Sequence, residues 1–315
     1  MAKQPKLWMS FFDQLALLKS RGLIVDNEPA ALNYLERVGS YRLAGYWYPF
    51  RKLKANPQGH SFREDKFIPN SRFDDGVHLY IFDKKLRMLA LDALERIELA
   101  VRVDVAYLLG QYDTFAHKNS VLFHPNFLKP NSRNQNAQSD YDKWLDGFKR
   151  LQLKARKTVF VEHNINEYGD LPIWVAIEIM DFGCLSHLFA GLKYADKQQI
   201  ANMYGFVSGD HMEKCLRSLN FLRNVSAHHS RLWNINIVDR SNLSVLGKEW
   251  QTLANNKPFA YFCLIQLFMK IICPNTSWGD RFKALMNEFP LPANHAISLH
   301  DFGLIKDWDK TKLWN

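Results

Sequence analysis

The sequence predicts a mainly α protein: a helical bundle with an N-terminal helical, aromatic-rich extension and a C-terminal helical tail. Three observations carry that prediction. Apolar residues recur at three- and four-residue steps through most of the chain. Glycine is scarce, 15 in 315 residues, below the usual ~7%, which disfavours Gly-rich phosphate loops and many-turned β-sandwiches. The longest apolar stretch, Phe259–Cys273, has the length of a buried helix. With 47% apolar and 23% charged residues, the composition excludes a disordered chain and suits a globular one with a real core.

The elements follow in order. Ser10–Arg21 places Phe11, Leu15 and Leu18 on one helical face, and Gly22 is its stop signal. Pro29–Val38 is a second helix with proline in its first turn. The aromatic run Tyr41–Tyr48 follows. Residues 54–76 are polar and hold Pro57, Gly59 and Pro69, which marks a long loop or short hairpin. Leu79–Leu109 is the clearest helix, with Leu91, Leu94, Ile97, Val101, Val105 and Leu108 on one side. On it Glu98 and Arg102 stand in the Glu-before-Arg order that favours pairing, a structural and orienting contact; exposed, it would contribute only ~0.3–0.5 kcal/mol.

Residues 129–140 are Asn-rich, polar and aperiodic, and mark an exposed loop. Helix resumes over Tyr141–Val161. Its many cations, Lys154 and Arg156 among them, form either a solvated basic face or a track for an RNA backbone. Further helices are expected at Pro172–Met180, Leu185–Leu192, Asp196–Met203, Asp210–His229, Lys257–Ile272 and Gly279–Asn287. These divide into an N-terminal region, 1–78, a helical core, 79–240, and a C-terminal region, 241–315, packed on the core.

Lys and Arg number 41 against 32 Asp and Glu, a formal charge of +9 that mildly favours polyanions. Four scattered cysteines make neither a disulfide framework nor a zinc site. Met1–Met9 lacks the apolar core of a signal peptide. Phe259–Cys273 would span roughly 22 Å as a helix, short of the ~30 Å hydrocarbon layer, so a cytoplasmic protein without a membrane partner is expected. His163 and Glu167 have metal-ligand spacing but no third ligand, and His187 on an apolar helix reads as a core histidine. Glu178, between Trp174 and Phe182, reads as a buried acid paired with Arg42, Arg102 or Arg223. Neither a Walker loop nor a Ser-His-Asp elbow is present. No cofactor or metal is expected.

The informative segment is 219–234. Treated as a helix at about 100° per residue, Arg217, Asn220, Asn224, His228 and Arg231 project from nearly one side, while Leu216, Leu219 and Leu222 face a core. This stripe carries no acid. It offers guanidinium and amide groups to an anion, plus imidazole, the side chain that trades protons near neutral pH. Arg223 lies about 140° around the cylinder from His228. The two converge only if Arg223 reaches round, if the helix is distorted near Ala227, or if a second copy completes the site. Arg and His also recur at similar spacing in Arg72…His78 and Arg156…His163; only Arg223 is followed by Asn.

RNVSAHHSRLWN resembles the R-N-x-x-A-H-H-x-R-L-W-N box of the Abi-like (AbiD/AbiF-type) abortive-infection proteins, members of the HEPN superfamily. YRLAGYWYPF, LERIELAVR, LPIWVAIEIMDFGCLSHLF, PFAYFCLIQLF and DFGLIKDW are similar to other family segments in the same order. One departure is Leu304-Ile305, where a Phe-Pro pair is expected after Gly303. The resemblance implies a metal-independent endoribonuclease in anti-phage defence, in which the ribose 2′-hydroxyl attacks the adjacent phosphate. It puts His228 as general acid or base, with His229 the alternative imidazole, Arg223 on the phosphate charge and Asn224 as an orienting residue. Arg217, Asn220, Arg231, Arg42, Lys154 and Arg156 are the candidates for RNA binding. It further implies a homodimer restrained by a regulator, either an antitoxin or a bound RNA. The rival readings are a non-catalytic RNA-binding component and a nucleotidyl-transfer partner that needs a companion transferase.

Overall fold

The computed structural model describes residues 7–55, 61–130 and 138–315. Two short helices open it with caps supplied by the sequence. Ser10 accepts the Asp13 N–H at the start of α1 (Phe11–Ser20), and Asn27 accepts the Ala30 N–H at the start of α2 (Glu28–Arg37). The aromatic run forms α3 (Ser40–Trp47). The polar stretch after it is the shorter of the two forms expected, an antiparallel hairpin of β1 (Arg51–Ala55) and β2 (Ser61–Phe67); Pro57 and Gly59 lie outside the described residues.

The axis of the fold is α4 (Phe73–Gly110), 38 residues and ~57 Å long. It begins two turns before Leu79, because Asp75 accepts the Arg72 N–H at 2.8 Å and closes its first turn. Gly76, the last residue of the stretch expected to be loop or hairpin, is here a packing residue within the helix. A Cβ on it would lie 2.2 Å from the Trp47 indole, which donates to the Phe73 carbonyl at 3.0 Å. The helix therefore crosses residue 78 without interruption.

Beyond the 129–140 stretch, of which 131–137 lie outside the described residues, come α5 (Asp140–Ala155) and α6 (Val159–Tyr168). The single helix expected over Tyr141–Val161 is thus two, parted at Thr158, whose backbone is extended. Next are α7 (Ile173–Ala176), continued by a 3₁₀ turn, then α8 (Phe182–Gly191), α9 (Tyr194–Met203) and α10 (Gly209–Ala227). The C-terminal region holds α11 (Pro258–Ile272), α12 (Trp278–Asn287) and α13 (Leu299–Phe302). The fold is mainly α.

Against α4 pack α3, α7, α10, α11 and α12. Along α4, Leu79, Leu86, Leu94, Ile97, Val101, Val105 and Leu109 are fully buried, while Met88, Leu99, Val103 and Tyr107 on the other side are exposed. The apolar stretch expected to be a core helix is one: α11 is buried along nearly its whole length. Phe259, Phe262, Trp278, Phe282 and Trp314 stack over its start, an arrangement worth ~0.5–1.5 kcal/mol per ring pair beyond area burial. No described helix is long and apolar enough to cross a membrane.

One buried group makes stability depend on pH. His117 is fully enclosed, edge-on to Phe148 at 5.0 Å, and neither ring nitrogen has a hydrogen-bond partner. Burial, reinforced by Lys118, pushes its pKa down to about 4 from the ordinary 6.5. Above pH 6.5 the imidazole is neutral in both folded and unfolded chains. Between 6.5 and 4 only the unfolded chain takes up the proton, so the fold loses ~1.4 kcal/mol per pH unit, about 3 kcal/mol across the window. Urea unfolding of His117→Leu should therefore show a correspondingly flatter decline than wild type between pH 6.5 and 4; parallel slopes would refute the assignment.

Candidate functional site

Helix α10 divides its residues between a core and a surface. Met212, Cys215, Leu216, Leu219 and Leu222 are buried against neighbouring helices, as their spacing predicts. Glu213, Arg217, Asn220 and Asn224 recur at steps of four, three and four on the opposite, accessible side. Ser208 opens the helix by accepting the His211 N–H at 3.1 Å.

The helix stops at Ala227, earlier than expected, and its ending shapes the site. His228 is the C-cap, its φ and ψ (−85°, 13°) still near helical, and its N–H donates to the Asn224 carbonyl at 3.0 Å. It thus stays four residues on from Asn224 along the same line. His229 then adopts φ 57°, left-handed for a residue that is not glycine. Its N–H donates to the Ser226 carbonyl at 3.2 Å and that of Ser230 to Val225 at 3.0 Å, the paired bonds of a Schellman ending. The Asn224–His228–Arg231 line read from an unbroken helix is corrected here: Arg231 lies beyond the turn, and its guanidinium donates to the Gly45 carbonyl in α3.

Other contacts hold the turn from behind. Arg42 of α3 donates to the His229 carbonyl at 2.6 Å, and Arg87 of α4 reaches the Ser230 carbonyl at 3.5 Å. Asp83 of α4, wholly buried, accepts the N–H groups of Leu232 at 3.0 Å and Trp233 at 2.7 Å through one oxygen. Its other oxygen accepts the Tyr46 hydroxyl at 2.7 Å and the Arg87 guanidinium. Burial and the neighbouring Asp83 carboxylate push the Tyr46 hydroxyl far above its ordinary pKa. Burial also pushes the Asp83 carboxyl up, opposed by Arg87 and the hydrogen-bond donors around it.

In front, both His228 and His229 are exposed and Arg223 is half-buried. The Arg223 guanidinium donates to the Asn224 Oδ1 at 3.3 Å and forms no ion pair among the described residues. It lies within the field of Glu98, whose carboxyl is raised by burial and held back by Arg102 and Arg223. Glu98 and Arg102 pair at 2.5 Å with side chains only 11% and 14% exposed, so the pair is far more enclosed than its helical spacing suggests. Arg102 also donates to the Met180 carbonyl. Glu178, expected buried, is half exposed and 4.0 Å from Arg102; the 3₁₀ turn after α7 carries it to the surface. His187, expected in the core, is exposed on α8.

Arg217 pairs with Glu213 at 3.1 Å, and Asn220 lies beside Gly183 at the start of α8 with its Oδ1 enclosed and unpartnered. Lys154 of α5 and Arg217 line one groove, whereas Arg156 sits past the end of α5, exposed and outside that lining. His163 stands edge-on to Tyr168 on α6, and the described residues hold no cluster able to bind a metal.

A family model described as Abi-like protein matches residues 33–234, almost two thirds of the chain. The chain belongs to the Abi-like family. No curated protein and no solved structure matches it. Membership implies a part in abortive-infection defence. The matched span takes in α3, α4 and α10 together with the turn at residues 228–233, so everything that holds this Abi-like turn in place lies within it.

Sequence reasoning passed over Asp83, Arg87 and Tyr46. A signal was present: Leu79, Asp83, Leu86 and Ala90 share one face of α4, so an acid stands where the pattern demands an apolar residue. Replacing Asp83 with Ala strips Leu232 and Trp233 of an acceptor and leaves Arg87 buried and unpaired. The expected loss is about 3–5 kcal/mol in urea unfolding. A loss under 1 kcal/mol would show that the turn is held by other means.

Proposed function

We propose that this Abi-like protein is a metal-independent endoribonuclease of the HEPN type. The observation that carries the reading is the end of α10: an uncommitted Arg223 guanidinium beside Asn224, followed by an exposed His228 at the helix terminus. A guanidinium matches phosphate oxygens bidentately and disperses the charge that builds on them in the transition state. An accessible imidazole moves protons to and from oxygen near neutral pH. Because His228 keeps its helical place after Asn224 and the left-handed turn begins only at His229, the end of the helix does not itself bring His228 round to Arg223; the shared phosphate rests on the reach of the Arg223 side chain or on a second copy.

In the proposed reaction the ribose 2′-oxygen attacks the adjacent phosphorus and loses its proton to a base. The bond from phosphorus to the 5′-oxygen breaks, and that oxygen takes a proton from an acid. The products are a 2′,3′-cyclic phosphate and a free 5′-hydroxyl, so DNA, which lacks the nucleophile, is spared. His228 fills the acid or base role. It is preferred to His229 because it continues the line of Asn224, whereas His229 is committed to the left-handed turn. Asn224 orients Arg223 through its 3.3 Å contact. Unrestrained cleavage would harm the host cell, so the proposal includes a cytoplasmic homodimer held in check by an antitoxin or a regulatory RNA.

The test is incubation of purified protein with end-labelled RNA in EDTA. Wild type should cleave and leave cyclic-phosphate and 5′-hydroxyl ends. His228→Ala should lower the rate about 10²–10⁴-fold and Arg223→Ala about 10²–10³-fold, with RNA binding retained. Binding without cleavage by wild type would instead support a non-catalytic RNA-binding component.

A further inference from the structure

An open groove of about 1250 Å³, walled by α5 and the first half of α10 and floored by α8, lies along α10 ahead of the Arg223–His228 surface. It exceeds the ~300–1,000 Å³ usual for small-molecule clefts. On α5, Lys143, Gly147, Arg150 and Lys154 line it at steps of four, three and four, a single helical stripe ~16 Å long. Gly147 leaves the middle of that stripe low: a Cβ there would meet nothing nearer than the Arg150 guanidinium at 4.0 Å. On α10, Glu213 and Arg217 line the facing wall, and the same stripe runs on through Asn220 to Asn224. The groove therefore opens along the helix face that ends at the candidate site.

Its charges are unevenly committed. Lys197 is clamped by Asp210 at 2.6 Å and Glu213 at 2.9 Å, Lys143 pairs with Asp140 at 3.2 Å, and Asp181 accepts the Cys184 N–H at the start of α8. Arg150 and Lys154 are exposed and have no ion pair among the described residues. Two uncommitted cations on one wall of an elongated trough suit a strand of phosphates better than a compact ligand. Tyr194, half exposed in the lining of the groove, offers a ring on which a base stacks.

We propose that this groove holds a single-stranded segment of RNA flanking the scissile phosphate, with Arg150 and Lys154 contacting its backbone regardless of sequence. The choice of ligand rests on the nuclease reading above. Arg150 and Lys154 are positioning residues: they set where the strand lies and take no part in proton transfer.

The experiment uses a fluorescein-labelled 2′-O-methyl oligoribonucleotide, which lacks the attacking hydroxyl and so reports binding alone. Its affinity is measured by anisotropy between about 50 and 200 mM salt. The double variant Arg150→Ala/Lys154→Ala should bind about tenfold more weakly. Its log–log salt dependence should be shallower by roughly 1.4, two phosphate contacts at ~0.7 each for a single strand. The control Lys248→Ala/Lys306→Ala removes the same charge from exposed positions outside the groove and should match wild type. Unchanged binding by the first variant, or an equal loss in both, overturns the groove assignment whatever the cleavage assay shows. Absence of cleavage by wild type overturns the nuclease reading and leaves the binding result to decide the groove.

Discussion

The structure depends on one buried carboxylate. Asp83 receives hydrogen bonds from a tyrosine of α3, an arginine of its own helix and two backbone amides of the segment after α10. Taking a charge out of water costs several kcal/mol unless partners replace the lost hydration. Here every lone-pair direction has one. Such an arrangement adds little net stability over an apolar equivalent, but it is intolerant of misplacement. A shift of the 228–233 turn by one residue would leave a buried anion short of donors.

That constraint explains how an exposed pair of histidines is held at a defined place. A helix end at the surface is free to fray, and a left-handed His229 is mildly strained. Backbone carbonyls on the turn accept from Arg42 and Arg87, Arg231 reaches back to Gly45, and the amides beyond are tied to Asp83. The N-terminal aromatic helix thus acts as a brace for the Abi-like turn rather than as a separate module. The front of the turn, where Arg223 and His228 lie, carries none of these ties and stays available to a ligand.

Much of the helix layout was legible because apolar spacing and capping residues are local. The buried face of α10, the core placement of α11 and the stop after α1 all follow from periodicity and glycine. The misreadings have a common cause. Residues 73–76 read as the end of a polar loop, yet they are helix, and Trp47 occupies the space that a side chain at Gly76 would need. Glu98 and Arg102 looked like a surface pair until α10 and the 3₁₀ turn after α7 closed over them. His187 and Glu178 looked buried on apolar stretches and are exposed, because the neighbouring helices cover the other faces. Each of these depends on a partner distant in the chain.

By itself, then, the sequence determined the mainly helical class, the core face of each long helix, and the Arg-Asn-His-His box whose resemblance pointed to the family. Those properties depend on residues within a turn or two of one another, where side-chain spacing alone decides which face is apolar. Only the tertiary structure decided that α10 stops short of His228, that Arg231 faces inward to α3, and that Asp83 gathers three separate segments. A buried charge can choose its donors only once distant segments have packed around it, and no local pattern records that choice.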